Sequence, residues 1–113
     1  MKTITELLNW RYATKKFDAS KKLTDTEVNL LKEAVNLTAS SYGLQPYRVL
    51  DVRTPEIREQ LKAAAFGQSQ LTDASHVFVF TAFNDLTDEH VDEYIALSAR
   101  TKNIPLEAIS GYG

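Results

Sequence analysis

The chain has 113 residues, a net charge of -2 and no cysteine, with 43% hydrophobic and 25% charged side chains. That size and balance describe one domain large enough for a core but small for an enzyme with its own cofactor pocket, and they argue against disorder, a disulfide framework, thiolate chemistry or an overall field for nucleic acid. The longest strongly apolar run, Val77 to Phe83, is far short of the ~20 residues a membrane helix needs, and the N-terminus lacks an apolar signal region; the expectation is a cytoplasmic protein with no membrane partner.

Thr3 and Glu6 have capping-box spacing and predict a short helix from Ile4 to about Trp10. Its apolar stripe, Ile4, Leu7 and Leu8, continues by one step onto Arg11. A guanidinium there either leans out to water or meets an anion at the edge of the core, because burying it unpaired is costly. In the extended segment that follows, Arg11, Ala13 and Lys15 share one face and Tyr12, Thr14 and Lys16 the other.

Phe17 to Leu23 reads as a polar connection, and Thr24 with Glu27 repeats the capping box ahead of Val28, Leu30, Leu31, Ala34, Val35 and Leu37. So wide an apolar face predicts a well-buried helix ending near Thr38. Ser40-Ser41-Tyr42-Gly43 is a cluster of turn formers, Gln45-Pro46 imposes an extended entry, and a strand fits Tyr47 to Val52. Thr54-Pro55-Glu56 then starts a helix with a buried stripe of Ile57, Leu61, Ala64 and Ala65, which Gly67 is placed to end. Gln68-Ser69-Gln70 reads as a polar loop. His76 to Phe83 is apolar on both faces and predicts a central strand covered on both sides. Thr87 caps a third long helix, with Leu86 and Val91 spaced as a hydrophobic staple, Val91, Tyr94 and Ile95 facing inward, and Arg100 and Lys102 in the last turn. A further helical turn begins at Ile104-Pro105, and the chain closes on Gly111-Tyr112-Gly113. Two strands alone are marginal, and a strand apolar on both faces needs neighbours that this chain does not supply.

Arg11-Tyr-Ala-Thr-Lys15-Lys-Phe17, then Ala39-Ser40-Ser41-Tyr42-Gly43-Leu44-Gln45-Pro46-Tyr47, then Gln68-Ser69-Gln70 before Asp73-Ala74-Ser75-His76-Val77 together resemble the nitroreductase family of flavin enzymes, over essentially the whole chain. The resemblance implies an α+β fold with helices packed around a mixed β-sheet, of which residues 1–113 would be the N-terminal portion of a single domain truncated at its C-terminus. It also implies a homodimer with FMN at its interface, and an oxidoreductase passing hydride from NAD(P)H through flavin to a nitroaromatic, quinone or similar acceptor.

Carried over by position, the resemblance puts Arg11 on the FMN phosphate and Lys15 on the pyrimidine side of the ring, with Tyr12 and Ala13 in the same cofactor-binding stretch. Gln70 matches a position that bonds the ring or ribityl chain, Gln68 is a weaker neighbour, and Ser40, Ser41 and Tyr42 match a loop reaching the flavin of the partner subunit. Many members carry Ser where this chain has Ala13, so one hydroxyl contact is replaced by a backbone N–H or water. The family's second set of phosphate ligands lies in its C-terminal half. No side-chain acid or base and no metal ligand is implied.

Other readings stand beside these. Arg11 and Lys15 equally suit a solvated basic turn, since cations are favoured at a helix C-terminus; Ser40 to Gly43 suits a plain loop, and Gln68 and Gln70 suit surface amides. Trp10, Tyr12 and Phe17 suit core or dimer packing. Asp73, Ser75 and His76 suggest a hydrolytic triad, but adjacent residues entering a strand face opposite ways, so Ser75 and His76 are not expected to meet. His90 among Asp88, Glu89, Asp92 and Glu93 reads as a charged helix face rather than a metal site. Alternatives to the enzyme are a non-catalytic flavin- or phosphate-binding module, a fragment without activity of its own, or a helical interaction domain.

Overall fold

In a computed structural model of the chain, residues 1–109 and 111 are described; of the closing Gly-Tyr-Gly, Tyr112 and Gly113 lie outside them. The architecture is α+β: α1 (Ile4–Trp10), α2 (Asp25–Leu37), β1 (Tyr47–Asp51), α3 (Pro55–Ala64), α4 (Gln70–Asp73), β2 (Phe78–Ala82) and α5 (Asp88–Lys102), with 3-10 turns at Ser41–Gly43 and Leu106–Ala108. The chain divides into two compact units, one built from Met1–Val28 with Asp51–Val79 and the other from Asn29–Leu50 with the segment from Phe80 onward.

Strands β1 and β2 form a two-stranded sheet. Val52 N–H donates to Val77 O at 2.9 Å, and Phe83 N–H donates to Pro46 O at 3.0 Å. Partner numbers fall on one strand as they rise on the other, so the pair is antiparallel. Tyr47 and Phe80 then share a face, their ring centroids 6.4 Å apart. Strand β2 is shorter than the apolar run predicts, and it is not covered on both sides within the chain: Phe80 is 62% exposed. Phe78 and Val79 are half-buried, whereas Phe80, Thr81 and Ala82 are exposed.

The helix starts follow local chemistry closely. Thr3 and Glu6 close a reciprocal capping box on α1, and at α2 the Glu27 carboxylate accepts from the Thr24 N–H at 2.7 Å while Thr24 Oγ1 accepts from the Glu27 N–H at 3.3 Å. Thr87 Oγ1 accepts from the His90 N–H and His90 Nδ1 accepts from the Thr87 N–H at 3.1 Å, so His90 serves as the third residue of a cap on α5. Thr54 precedes α3 but makes no side-chain cap; Pro55 at the first position fixes that start through its φ alone.

Burial departs further from the periodicity. Among the described residues, those buried in the first unit are Val28 and Arg58, and those buried in the second are Ile95 and Ala99, both on α5. Helix α2 is not well buried, since Leu30, Leu31 and Leu37 remain exposed beside Val28. On α3 the expected stripe is also overturned: Ile57 and Ala64 are exposed, Leu61 and Ala65 are half-buried, and Arg58 takes the interior place. Amphipathic spacing fixes which face is apolar; covering it requires a surface from elsewhere.

Candidate functional site

The N-terminal basic stretch is delivered by the end of α1. Arg11 is its C-terminal cap, with its N–H donating to Leu7 O at 3.0 Å and its backbone turned to an extended conformation (φ -68°, ψ 148°). Residues 11–18 then run without helix or strand, all of them exposed. Ile4, Leu7 and Leu8 are exposed too, and with Trp10 and Arg11 they line a shallow open depression. The apolar stripe therefore meets no core in this chain, and Arg11 leans out to solvent. No hydrogen bond or ion pair within the described residues occupies the Arg11 guanidinium or the Lys15 ammonium. Tyr12 is 76% exposed and Ala13 lies between the two cations, while the Lys2 ammonium sits over the Trp10 ring, 5.3 Å from its centroid.

Gln68 and Gln70 belong to the same compact unit, but Gln70 is not in a loop: it opens the short helix α4. Helix α3 ends at Ala64 with Ala65 as its cap, and Phe66 and Gly67 adopt left-handed φ of 58° and 71°, with Gly67 N–H donating to Lys62 O at 2.9 Å. This C-terminal bend throws the chain directly into α4, whose turn closes through Asp73 N–H to Ser69 O at 2.9 Å and Ala74 N–H to Gln70 O at 3.1 Å. Gln70 is half-buried and its carboxamide has no partner in the described residues; Gln68 is exposed. Among the described residues no hydrogen bond joins either glutamine to the basic stretch.

Arg58, which sequence reasoning missed, holds α4 from beneath. It is 8% exposed; its Nε donates to Leu71 O at 2.7 Å and its Nη2 donates to Ala74 O. The last carbonyls of a helix lack internal donors, and a guanidinium fork supplies two at once. The only sequence signal was a cation three residues into an amphipathic helix, which ordinarily marks the wet face.

Ser40, Ser41 and Tyr42 lie in the other unit, in a loop of unusual backbone. Tyr42, Gly43 and Gln45 have φ of 53°, 69° and 46°. Ser40 Oγ accepts from Gln45 N–H at 3.0 Å, and Gln45 Nε2 donates to Asn36 O at 2.9 Å, so Ser40 and Gln45 brace the loop from within. Ser41 and Tyr42 are exposed, Tyr42 at 81%. A non-glycine residue held left-handed costs on the order of 1 kcal/mol, and here two such residues, Tyr42 and Gln45, fall within four positions.

Ser75 and His76 do meet, against the expectation from strand alternation. Strand β2 begins only at Phe78, so the two residues precede the pleat, and Ser75 Oγ lies 2.9 Å from His76 Nδ1. Ser75 Oγ also accepts from the Leu23 N–H at 2.8 Å, which ties the connection before α2 to the one before β2. The Asp73 carboxylate turns to Thr72 Oγ1 at 3.4 Å, and the His76 ring stacks on Phe78. The third member of a triad is thus directed elsewhere.

Among the described residues no helix is long and apolar enough to cross a membrane. Within the first unit the geometry offers a pair of free cations after a capped helix and a half-buried free carboxamide on a pinned helical turn; the second unit, taken by itself, offers an exposed strained loop. In donor chemistry alone, two cations and a neutral amide are groups that suit an anionic ligand with a polar ring, FMN among them.

The comparisons agree on where such a chain is found. A model of the nitroreductase family matches residues 8–106. A candidate NAD(P)H nitroreductase of Staphylococcus saprophyticus is 41% identical over 88 residues, 77% of this chain and 40% of that protein; one of Bacillus subtilis is 34% identical over 111 residues, 96% of this chain and 50% of the relative. The crystal structure of a candidate NAD(P)H:FMN oxidoreductase from Staphylococcus epidermidis superposes with a TM-score of 0.76 at 27% identity, covering 98% of this chain and 52% of that one. For a candidate nitroreductase in complex with FMN from Exiguobacterium sibiricum the TM-score is 0.73 at 22% identity, over 98% of this chain and 56% of that one, a likeness of fold alone. The chain thus spans about half the length of the proteins it matches or less. With the family model covering all but the ends of the sequence, and the helices and antiparallel strand pair matching the N-terminal part of the solved structures, this chain belongs to the nitroreductase family.

Proposed function

We propose that the protein carrying this chain is an FMN-dependent NAD(P)H oxidoreductase acting on a nitroaromatic, quinone or similar acceptor. The observation that carries this reading is the exposed, unpartnered pair Arg11 and Lys15 in the segment that leaves the C-terminal end of α1, in a chain of this family. Arg11 presents a planar fork of donors suited to a phosphate. Lys15 supplies positive charge where the reduced ring carries negative charge, which favours the reduced form. Gln70, and more weakly Gln68, offer both a donor and an acceptor to the polar edge of the ring or to the ribityl chain. Tyr12 and Ala13 keep the two cations apart, and Ser41 and Tyr42 present a polar loop to a second subunit. Bound flavin supplies the two-electron step between nicotinamide and acceptor.

The exposed apolar face of α1, with Ile4 at 77% and Trp10 at 71%, supports a homodimer in which that face is covered. These residues are proposed to contribute the N-terminal portion of the family's domain, in a cytoplasmic protein. The test is purification of the whole protein: the expected result is a yellow dimer with flavin absorption that oxidises NADH or NADPH when a quinone or nitroaromatic is added. A colourless preparation that takes up no added FMN refutes the reading; a yellow one inert toward NAD(P)H makes it a flavin-binding module.

A further inference from the structure

We infer that Arg58 is a positioning residue for the cofactor site, setting the direction of the Gln70 carboxamide by clamping the far end of the turn that carries it. The inference rests on the proposed flavin reading of Gln70. Helix α4 spans Gln70–Asp73, a single turn, and a single turn does not hold itself in water. Its internal bonds, Thr72 N–H and Asp73 N–H to Ser69 O and Ala74 N–H to Gln70 O, fix its coil, and Leu71 N–H to Gln68 O with Gln68 N–H to Ala65 O links its start back to α3, but none of them restrains its C-terminal end. Against that freedom the described hydrogen bonds offer one side chain from another element. Arg58, on α3, donates Nε to Leu71 O at 2.7 Å and Nη2 to Ala74 O. The two carbonyls are three residues apart and the guanidinium is rigid and planar, so the pair of bonds fixes rotation of the turn about its own axis as well as its position. Rotation about that axis decides where Gln70 points.

The surroundings leave the guanidinium no rival task. No carboxylate forms an ion pair with Arg58 within the described residues, and its charge is met by carbonyl dipoles instead. A buried cation spent on two backbone oxygens of one short turn is costly to desolvate, and that cost is answered by the order it gives α4. Gln70, at the start of the same turn, is half-buried with a carboxamide that the chain leaves free.

The test is a double-mutant cycle in the whole protein between Arg58→Lys and Gln70→Ala, read as FMN affinity and as the position of the flavin visible band. Lysine keeps the charge but makes point contacts, so it can hold a carbonyl without fixing rotation. Each single variant is expected to weaken FMN about fivefold, the worth of one hydrogen bond, and to shift the band in the same direction; the double variant should be no weaker than Gln70→Ala alone. Arg58→Gln, compared at a temperature well below its unfolding, replaces the lysine variant should that one fail to fold. Wild-type protein that takes up no FMN refutes the flavin reading itself. Wild-type protein that binds FMN, with losses that multiply in the double variant, or with either single variant unchanged in affinity and band, overturns the positioning role and leaves the flavin reading standing.

Discussion

Replacing Gly43 by alanine tests the strained loop most directly. Gly43 has φ of +69°, and a Cβ built there would sit 2.8 Å from Tyr94 Oη, 3.4 Å from Cζ and 3.5 Å from Cε2. The left-handed backbone alone costs an alanine roughly 1–2 kcal/mol. The contact adds overpacking of roughly 1–3 kcal/mol, toward the low end because the obstructing atom is the tip of a side chain. The expected destabilisation is therefore about 2–4 kcal/mol, read as a lowered midpoint in urea unfolding of the protein. Tyr94→Phe removes the atom at 2.8 Å; in the Gly43→Ala background it should return about 1 kcal/mol of the steric part and none of the backbone part. A Gly43→Ala protein within about 0.5 kcal/mol of wild type refutes the strain argument. Equal midpoints for Gly43→Ala with and without Tyr94→Phe refute the steric part alone.

Further outcomes follow from the caps and cations. The Thr24 backbone N–H, and then its hydroxyl, hold the Glu27 carboxyl below its ordinary value of 4.5, as Thr3 does for Glu6. A depressed folded value means that stability is present above the unfolded value and lost as pH falls through the folded one. Helicity by circular dichroism should thus hold at neutral pH and fall in the acid carboxylate range, and Glu27→Gln, which keeps the cap without titrating, should flatten part of that fall; an unchanged acid transition removes Glu27 from it. Thr87→Ala should cost about 1 kcal/mol through loss of the α5 cap, measured by thermal unfolding, with no change in midpoint refuting the cap's contribution. Under the proposed function, Arg11→Ala should weaken FMN retention by about 2 kcal/mol, roughly thirtyfold, as for a charge-assisted pair; titration by flavin fluorescence showing equal affinity returns Arg11 to a solvated helix end.

Returning to the basic stretch at Arg11, its delivery by a capped helix was legible because a capping box is settled within four residues of sequence. Thr3 with Glu6 and Thr24 with Glu27 close as their spacing predicts, and Gly67 bends the chain out of α3 where a left-handed residue was needed. The order of the longer helices and the two strands, and the residues by which the chain resembles its family, were likewise written locally, whereas the single turn of α4 reads locally as a loop. Burial was not, because it depends on which surfaces arrive from far along the chain. Periodicity marked Ile57 for the inside of α3, and Arg58 took that place because α4 presents two carbonyls that need donors. Strand alternation kept Ser75 from His76 until the strand proved to begin later, at Phe78. Gly43 read as a turn former, yet the tertiary structure alone sets it against Tyr94. Local hydrogen bonding specified the starts of α1, α2 and α5; long-range packing decided which charged and polar groups the elements would bury, brace or leave free.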